Sequence, residues 1–255
     1  MSVRAKKHLG QHFLKDKNIA EKIAGTLPKD SSNVLEIGPG MGVLTHFLNH
    51  SNHSVKVVEI DTESVDYLKS NRIIEPENII ETDFLKAEIT SFFNGEEFSI
   101  IGNFPYNISS QIVFKTLESR DKIPFFSGMF QKEVAERIAM KPGSKAYGIL
   151  SVLTQAFYEV EYLFTVPPTV FSPPPKVNSG VIRMVRKQDY SLGCNEKSFF
   201  QVVKMAFNHR RKMLRVSLKS LMNNKTDKNH PYFTKRPEQL SYTDFVALVN
   251  ILNED

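Results

Sequence analysis

The feature of this 255-residue sequence that most constrains its fold is an alternation of short apolar runs with segments of helical spacing. The apolar runs predict strands at 34–37, 55–60, 79–80, 98–101 and 124–126, and the segments between them predict helices around 44–48, 63–68 and 112–117. Units of this kind build a mostly parallel sheet that helices cover on both faces. We therefore predict a Rossmann-like α/β fold.

The sheet gains two more strands further along the chain. After a helical stretch from Gly148 to about Phe157, residues 158–166 and 181–185 read as strands. A proline-rich loop, 167–175, lies between them and is expected to join neighbouring strands at the sheet edge. The predicted sheet thus has seven strands.

From about residue 190 the pattern becomes helical. Apolar residues at helical spacing run through 196–222, and Ser241 is a suitable N-cap for a second helix over 242–252. We predict one large domain, 1–189, and a small C-terminal all-α domain, 190–255.

Composition limits the classes of protein to consider. A hydrophobic fraction of 41% and a charged fraction of 24% are those of an ordinary globular protein, and the net charge of +5 favours a polyanionic partner. The single cysteine, Cys194, excludes an internal disulfide and indicates a reducing compartment. There is no apolar run for a signal peptide or a membrane helix, and the seven histidines show no ligand spacing. We expect a cytoplasmic protein with no membrane partner and no metal.

A glycine-rich turn follows the first predicted strand and opens a helix, in the segment Glu36 to Gly42. Glycines such as Gly38 and Gly40 let the backbone turn sharply and approach a ligand at a helix N-terminus. NAD enzymes carry a related turn at the same place, but the G-x-G-x-G spacing favours the methyltransferase variant. The alternative interpretation is a tight turn without a ligand.

Carboxylates follow the next two strands. Glu59 ends one strand, and Asp61 lies on the same face two residues later. Either side chain can accept ribose hydroxyls, and we prefer Glu59 because it is nearer the strand end. Asp83 follows the third strand and can accept an adenine amino group, with Phe84 or Ile60 against the ring.

The element Asn103-Phe104-Pro105-Tyr106 follows the fourth strand. The side-chain oxygen of Asn103 and a nearby backbone carbonyl can accept the two hydrogens of an exocyclic amine, whose lone pair is otherwise delocalised into the ring. This favours a pyramidal nitrogen aimed at a methyl donor. Pro105 frees its carbonyl from regular pairing, and Tyr106 supplies a face for base stacking. The alternative is an ordinary strand-ending turn.

This element resembles the N-[LIF]-P-Y element of the RNA adenine N6-methyltransferases. The resemblance extends to residues 7–14, 36–42, 103–110 and 171–179. The whole chain resembles the KsgA-type family of small-subunit rRNA adenine N6,N6-dimethyltransferases. The resemblance implies a class I methyltransferase fold, with S-adenosyl-L-methionine as the cofactor.

Residue roles carried over by position complete the expected site. The resemblance implies that Gln11 to Leu14 folds over the cofactor, with contacts from His12 and the Leu14 backbone. Phe171 matches an aromatic residue that sandwiches the target adenine opposite Tyr106. The expected cofactor-binding residues are Gln11, His12, Leu14, Gly38, Gly40, Glu59, Asp83 and Asn103, and the expected catalytic residues are Asn103, Pro105, Tyr106 and Phe171. Two residues depart from the family pattern, because His12 stands where Asn is common and Phe104 where Leu is common.

Segment 198–226 is basic and holds no acidic residue. The predicted RNA-binding residues in it are Arg210, Arg211, Lys212, Arg215 and Lys219. Three of them recur every four residues and would form a stripe on one helical face, able to neutralise phosphates. The basic run Arg4, Lys6 and Lys7 is expected to join this surface. The alternative is a solvated charged face.

The resemblance implies the activity and the substrate. We expect dimethylation of the N6 amines of two adjacent adenosines near the 3′ end of 16S rRNA, within the small ribosomal subunit or its precursor, by a monomeric enzyme. A duplex would hide the amine, so the adenine is expected to be unpaired or flipped. The alternatives are a non-catalytic ribosome-assembly factor, a 23S rRNA adenine N6-methyltransferase of the macrolide-resistance type, and an N6-adenine DNA enzyme.

Overall fold

The computed structural model describes residues 3–253 of the chain. Within that part the strands are β1 (Phe13–Leu14), β2 (Asn33–Ile37), β3 (Ser54–Glu59), β4 (Ile79–Glu81), β5 (Ser99–Asn103), β6 (Phe125–Gln131), β7 (Tyr158–Val166), β8 (Phe171–Ser172) and β9 (Ser179–Arg186). The α-helices are α1 (Lys17–Ala24), α2 (Val43–Asn49), α3 (Thr62–Ser70), α4 (Ser109–Glu118), α5 (Lys132–Ala139), α6 (Ile149–Phe157), α7 (Glu196–Asn208), α8 (Leu214–Ser217) and α9 (Tyr242–Leu252).

Seven of these strands form one sheet, in the order β4-β3-β2-β5-β6-β9-β7. Strand β2 pairs in parallel with β3 and β5, and β5 pairs in parallel with β6. Strand β9 runs antiparallel to β6. The predicted mostly parallel, seven-stranded sheet is confirmed, and the proline-rich loop joins the neighbouring strands β7 and β9 at one edge, as expected.

Burial explains why the inner strands are apolar runs. Val34 and Leu35 of β2 and Ile100 and Ile101 of β5 are fully buried, as expected for parallel strands between two helical layers. Glu36 breaks this pattern, because it is charged and yet 1% exposed. A buried carboxylate at the end of a central strand indicates a functional edge of the sheet.

The direction in which the chain adds strands reverses between β2 and β5. From β2 the chain continues outward to β3 and β4, and it then returns to the other side of β2 to form β5 and β6. In open α/β sheets, ligands bind at the carboxyl ends of the strands beside such a switch point. The topology therefore points to the loops after β2 and β5.

Two helices begin where the sequence provides a cap. The Asp16 carboxylate accepts hydrogen bonds from the backbone N–H of Asn18 at 2.9 Å and of Ile19 at 3.1 Å, which starts α1. The Ser241 hydroxyl accepts from the Asp244 N–H at 3.1 Å, and Asp244 accepts from the Ser241 N–H at 2.8 Å. This reciprocal capping box starts α9 at the predicted residue.

Residue contacts divide the chain into two compact units. The first contains the chain up to Ala135 together with Glu161–Arg186, and the second contains Glu136–Val160 together with the chain from Lys187 onward. Helix α6 belongs to the second unit because it packs against α7 and α9. The contact boundary at Arg186 is close to the expected boundary at residue 189, but residues 136–160 join the helical unit.

The expectation of one continuous helical face through 196–222 is wrong. Helix α7 ends at Asn208, and the next residue, His209, leaves helical geometry at φ −118° and ψ 47°. A turn closed by the Lys212 N–H to the His209 carbonyl, at 2.7 Å, leads to the extended Met213 and then to the single-turn helix α8. The apolar spacing continues across the break because Leu214 and Leu218 are again buried.

Neither a membrane span nor a metal cluster is found in residues 3–253. No helix there is long and apolar enough to cross a bilayer. That part of the chain also contains no group of three His, Cys, Asp or Glu side chains that could hold a metal ion.

Candidate active site

A cavity of about 1130 Å³, counting its open mouth, lies in the first unit at the switch point. We call it the switch-point cleft, and its lining is residues 9–14, 36–41, 43–44, 58–60, 82–85 and 103–108. A cleft at the carboxyl ends of the parallel strands is the usual place for a ligand in an open α/β sheet. All eight expected cofactor-binding residues lie in this lining, so the structure brings together groups that come from five separate parts of the sequence.

The glycine-rich turn presents bare backbone to the cleft. Gly38, Gly40 and Gly42 have φ values of 68°, 55° and 75°, in the left-handed region that favours glycine. A Cβ atom added to Gly40 would lie 2.8 Å from the Phe13 ring, and one added to Gly38 would lie 3.5 Å from Pro105. The turn therefore needs glycine for its conformation and, at residue 40, for close packing.

Glu59 is fixed at the cleft wall at the end of β3. Its carboxylate accepts hydrogen bonds from the N–H groups of Ile60 and Asp61, each at 2.9 Å, and from the N–H of Gly40 at 3.2 Å. Burial raises the pKa of Glu59, and these hydrogen bonds offset part of the rise. The carboxylate lies beside the glycine turn, where it can accept ribose hydroxyls.

Asp61, the alternative to Glu59, is engaged elsewhere and does not line the cleft. It caps α3 and accepts hydrogen bonds from the Ser64 hydroxyl at 3.1 Å and from the Gln11 amide at 2.9 Å. The Lys6 ammonium also pairs with it. Burial would raise the pKa of Asp61, but the bonds from Gln11 and Lys6 outweigh burial and lower it.

Glu36 is a second buried carboxylate in the cleft lining. Its Oε2 atom accepts a hydrogen bond from the Thr45 hydroxyl at 2.6 Å. Burial raises the pKa of Glu36 to about 8, and the negative charge of Glu59 contributes to the rise. The raised pKa values of Glu36 and Glu59 have the same main cause, which is the removal of the two carboxyl groups from water.

Asp83 reaches the cleft because β4 pairs with β3. The Thr82 N–H donates to the Glu59 carbonyl at 3.0 Å, which places the following residue beside the end of β3. One Asp83 oxygen accepts from the Leu85 N–H at 3.0 Å, and the other lies 3.7 Å from the Lys86 ammonium. Ile60 lines the cleft and is 50% exposed, so it offers an apolar surface to a flat ring.

The element Asn103 to Tyr106 leaves the sheet at the end of β5. The Asn103 side-chain Nδ2 donates to the His12 carbonyl at 2.9 Å, so its Oδ1 remains as the acceptor. The Ile108 N–H donates to the Pro105 carbonyl at 3.2 Å and closes a turn. The Tyr106 hydroxyl lies 2.6 Å from the Ser179 hydroxyl. The element thus holds an amide and a ring at fixed positions on the cleft.

Phe104, one of the two departures from the family pattern, is accommodated by glycines. The side chain is 1% exposed, and its ring centroid lies 5.0 Å from those of Phe126 and Phe130. A Cβ atom added to Gly102 would lie 2.9 Å from the Phe104 ring, and one added to Gly128 would also overlap it. The absence of side chains at these two positions makes room for the larger ring.

The N-terminal segment, residues 6–15, is held along the cleft by polar contacts on both sides. The Lys6 N–H donates to Gln11 Oε1 at 2.8 Å, and the Asn107 side chain donates to the His8 carbonyl at 3.2 Å. His12 Nδ1 lies 2.8 Å from the Pro173 carbonyl oxygen, and β1 pairs antiparallel with β8. The segment therefore lines the cleft, as the resemblance implies, and also pairs with the proline-rich loop.

The structure does not bring Phe171 to the cleft. The side chain is 1% exposed, its residue pairs with Leu14 in the short β1–β8 ladder, and it packs in the core of the first unit. The ring beside Tyr106 is instead that of His12. The centroids of these two rings are 5.2 Å apart, and their planes are inclined at 33°.

The predicted RNA-binding residues have different environments. Arg211, Lys212, Arg215 and Lys219 are exposed around the break between α7 and α8. Arg210 is only partly exposed, and its guanidinium donates to the carbonyls of Ser144 at 3.3 Å and Lys145 at 2.5 Å. Lys6, expected on the same surface, directs its ammonium to Asp61 and, at 3.3 Å, to Glu63.

Sequence reasoning missed the residues that hold the site in place. Thr45, which binds Glu36, and Ser179, which meets Tyr106, lie 9 and 73 residues from their partners. Thr45 lies two residues inside the helix that the glycine turn opens, a position that helix periodicity places near the preceding strand. Nothing in the sequence links Ser179 to Tyr106.

The fold is that of a Rossmann-like methyltransferase, as comparison with known structures shows. A dimethyladenosine transferase from Plasmodium falciparum superimposes with a TM-score of 0.77 at 27% identity, covering 93% of this chain and 96% of that one. The 23S rRNA methyltransferase ErmE superimposes with a TM-score of 0.67 at 26% identity, covering 95% of this chain and all of its own.

Sequence comparison defines the family. The model of the ribosomal RNA adenine dimethylase family matches residues 2–254. Ribosomal RNA small subunit methyltransferase A of Flavobacterium johnsoniae is 61% identical over 254 residues, covering 99% of this chain and 97% of its own length. The protein of the same name from Porphyromonas gingivalis is 54% identical over the full length of both chains. This chain belongs to the ribosomal RNA adenine dimethylase family.

Proposed function

We propose that this protein transfers methyl groups from S-adenosyl-L-methionine to the N6 amines of two adjacent adenosines near the 3′ end of 16S rRNA. It acts in the cytoplasm as a monomer, on the small ribosomal subunit or its precursor. Full-length relatives that carry the name ribosomal RNA small subunit methyltransferase A support the choice of subunit. The family match over residues 2–254 supports the chemistry.

The observation that carries the proposal is the fixed orientation of the Asn103 amide. Its Nδ2 donates to the His12 carbonyl, so Oδ1 is the atom left to accept a hydrogen from an adenine amine. The backbone carbonyl of Phe104 accepts the second hydrogen, because that of Pro105 already accepts from the Ile108 N–H. Two such acceptors direct the nitrogen lone pair away from the ring and towards the methyl donor, which stabilises the transition state.

The chain's own residues fit the proposed cofactor. The glycine turn leaves bare backbone at Gly38 and Gly40, and Glu59 provides a fixed carboxylate for the ribose hydroxyls. Asp83 and the apolar side chain of Ile60 serve the adenine, and Gln11, His12 and Leu14 also line the cleft. Bound there, S-adenosyl-L-methionine supplies an electrophilic methyl group on a sulfonium. A positive charge bound there would in turn favour the ionised forms of the buried Glu36 and Glu59.

Each transfer forms one N–C bond on adenine N6 and breaks one S–C bond, and the methylated nitrogen then releases one proton to solvent. Asn103 and the carbonyl beside it bind the amine before transfer, and Tyr106 stacks on the base. A second transfer to the same nitrogen has only one N–H to bind, so one of the two acceptors is then sufficient.

The RNA must deliver an unpaired or flipped adenine, because pairing would occupy the amine. The exposed basic residues Arg211, Lys212, Arg215 and Lys219 of the helical unit bind phosphates around it. Arg210 contributes less, because its guanidinium is engaged by two carbonyls.

The test is methylation of ribosomal subunits from cells that lack this modification. Small subunits, large subunits, protein-free 16S RNA and DNA are each incubated with the protein and with S-adenosyl-L-methionine labelled in the methyl group. We expect N6,N6-dimethyladenosine at two adjacent positions near the 3′ end of the small-subunit RNA, and none with the Asn103→Ala variant.

Other outcomes identify the alternatives. Label in 23S RNA would assign the protein to the macrolide-resistance type, and label in DNA alone would overturn the RNA proposal. A protein that binds small subunits but transfers no methyl group would be an assembly factor. If the inactive Asn103 variant fully restored subunit assembly in a deletion strain, assembly would be the main biological role of the protein.

A further inference from the structure

We propose that Ser179 is a positioning residue that holds the Tyr106 ring in place as the stacking surface for the target adenine. The proposal rests on the proposed function, since it concerns the base that this function methylates. Ser179 does not line the cleft, and its effect passes through the Tyr106 hydroxyl.

The contact is short and lies in a protected place. The Tyr106 and Ser179 hydroxyl oxygens are 2.6 Å apart, within the usual range for an O–H···O hydrogen bond. Ser179 is fully buried, whereas Tyr106 keeps part of its surface exposed on the cleft. One end of the tyrosine is therefore anchored inside the protein, and its ring remains accessible from the cleft.

Ser179 is itself held rigidly by the sheet. It is the first residue of β9 and is paired with Gln131, the last residue of β6, in the antiparallel register. The preceding residue is held by the same strand pair, because the Lys132 N–H donates to the Asn178 carbonyl at 2.9 Å. A hydroxyl on this strand has little freedom to move, so it can fix the position of its partner.

Tyr106 needs such an anchor because its backbone lies in a turn. Its neighbours Pro105 and Ile108 close that turn, and the Ser109 hydroxyl donates to the Tyr106 carbonyl at 3.2 Å. These contacts fix the backbone but not the direction of the ring. Within residues 3–253, the Tyr106 side chain makes one hydrogen bond, with the Ser179 hydroxyl, and one ring contact, with His12.

Preorganisation of this ring has a defined kinetic effect. Base stacking on an aromatic side chain contributes about 1–3 kcal/mol, and part of it is lost if the ring must be ordered during binding. The cofactor part of the cleft is formed by other residues, so its affinity does not depend on Ser179.

The experiment compares Ser179→Ala, Tyr106→Phe and the double variant in methyl transfer to undermethylated small subunits. We expect each single variant to reduce kcat/KM about tenfold and the double variant to lose no more than either one, because each change breaks the same hydrogen bond. The dissociation constant for S-adenosyl-L-methionine should stay within twofold of the parent value. The matched control is Ser127→Ala, which removes another fully buried serine hydroxyl, on β6. That hydroxyl donates to the Ile182 carbonyl at 2.9 Å and accepts from the Thr26 hydroxyl at 2.7 Å. This control should reduce thermal stability without the tenfold kinetic loss.

Three results would overturn the proposal: full activity of Ser179→Ala, a double variant with the product of the two single losses, or an equal kinetic loss in Ser127→Ala. A readout without RNA separates this proposal from the proposed function. With tyrosine labelled at the ring carbons, the Tyr106 resonance is identified by its absence in Tyr106→Phe. We expect it to shift in Ser179→Ala and not in Ser127→Ala. An unchanged resonance contradicts the proposal, whereas a parent protein that transfers no methyl group contradicts only the proposed function.

Discussion

The side-chain amide of Asn103 donates a hydrogen bond to the backbone carbonyl of His12, at 2.9 Å between Nδ2 and the oxygen. The bond joins the end of β5 to a segment 91 residues earlier in the chain. It fixes which end of the amide is available in the cleft. The N-terminal segment therefore contributes to the reacting centre through its backbone, whatever side chain stands at residue 12.

We expect Asn103→Ala to reduce methyl transfer at least about 100-fold, the usual effect of removing one preorganised hydrogen-bonding group from a transition state. Asn103→Asp should also be inactive, because a carboxylate cannot donate to the His12 carbonyl. Single-turnover rates on undermethylated small subunits provide the measurement. The control is Asn107→Ala, which removes another asparagine contact with the same segment, to the His8 carbonyl, and should retain most of the rate. Equal rates for the two alanine variants would refute the assignment.

Gln11 joins the N-terminal segment to the start of α3, since its amide donates to Asp61 at 2.9 Å and accepts from the Lys6 N–H at 2.8 Å. We expect Gln11→Ala to weaken cofactor binding about three- to tenfold, because each lost hydrogen bond is worth roughly 0.5–1.5 kcal/mol. Isothermal titration calorimetry with S-adenosyl-L-methionine measures the change. Gln155→Ala, which removes a glutamine bound to the carbonyls of Ile138 and Met140, serves as the control and should leave this affinity intact.

The raised pKa of Glu36 predicts a pH dependence of stability. Burial raises the pKa from its ordinary value of 4.5 to about 8 in the folded protein. Between these pH values the unfolded chain has lost this proton and the folded protein has kept it, so the contribution of Glu36 to stability is fully present below pH 4.5. It is lost as the pH rises through about 8, at no more than roughly 1.4 kcal/mol per pH unit.

Glu36→Gln removes this ionisation and keeps an acceptor for the Thr45 hydroxyl. We therefore expect the melting temperature of the variant, relative to the parent, to increase steadily from pH 5 to pH 8. Differential scanning calorimetry without cofactor measures it. The exposed substitution Glu118→Gln should show a constant difference over the same range. A constant difference for Glu36→Gln as well would mean that the buried carboxyl ionises normally.

Phe104 fills space that Gly102 and Gly128 leave open. We expect Phe104→Leu to reduce the free energy of unfolding by about 1–1.5 kcal/mol, with methyl transfer largely retained, since the side chain is buried outside the reacting groups. Gly128→Ala should be more damaging, because the added Cβ would lie 2.5 Å from the Gly102 carbonyl oxygen as well as against the Phe104 ring. Urea denaturation of the double variant tests this: Phe104→Leu should recover only part of the loss, because the backbone clash remains.

The Tyr147 hydroxyl is buried and has no hydrogen-bond partner among residues 3–253. Burial raises the pKa of Tyr147, and the negative charge of Asp244 adds to the rise. Since a buried hydroxyl without a partner costs about 1–3 kcal/mol, we expect Tyr147→Phe to leave stability unchanged or to increase it. The control Tyr232→Phe breaks a 3.0 Å hydrogen bond to Asp244 and should lower the melting temperature. A clear loss of stability in Tyr147→Phe would show that its hydroxyl is bonded in solution.

The sheet could be predicted from sequence because its signals are local. The inner strands are apolar runs, and their alternation with helices predicts a mostly parallel sheet. Local signals do not give the position of β9, which lies antiparallel between β6 and β7. The break between α7 and α8, which divides the expected stripe of Arg211, Arg215 and Lys219, could not be predicted either, because apolar spacing continues on both sides of it. Periodicity alone does not distinguish one long helix from two short ones that bury the same face.

The site was predictable to the extent that it follows strand ends. Gly38, Glu59, Asp83 and Asn103 meet in the cleft because parallel strands end at one edge of the sheet. The contacts that orient them, such as Gln11 with Asp61 and Tyr106 with Ser179, depend on side-chain positions in three dimensions. The burial of Phe171 has the same origin, since its place is set by pairing with the N-terminal segment.

The two-residue ladder between β1 and β8 has a consequence for the timing of repeated turnover. Phe13 and Leu14 pair with Ser172 and Phe171, so the segment along the cofactor and the loop after β7 form one hydrogen-bonded piece. If this segment opens to exchange spent for fresh cofactor, the paired loop loosens at the same moment. On the proposed function, four methyl groups on two adenosines need four cofactor molecules and therefore three such exchanges, and a monomethylated product is expected to accumulate early in the reaction.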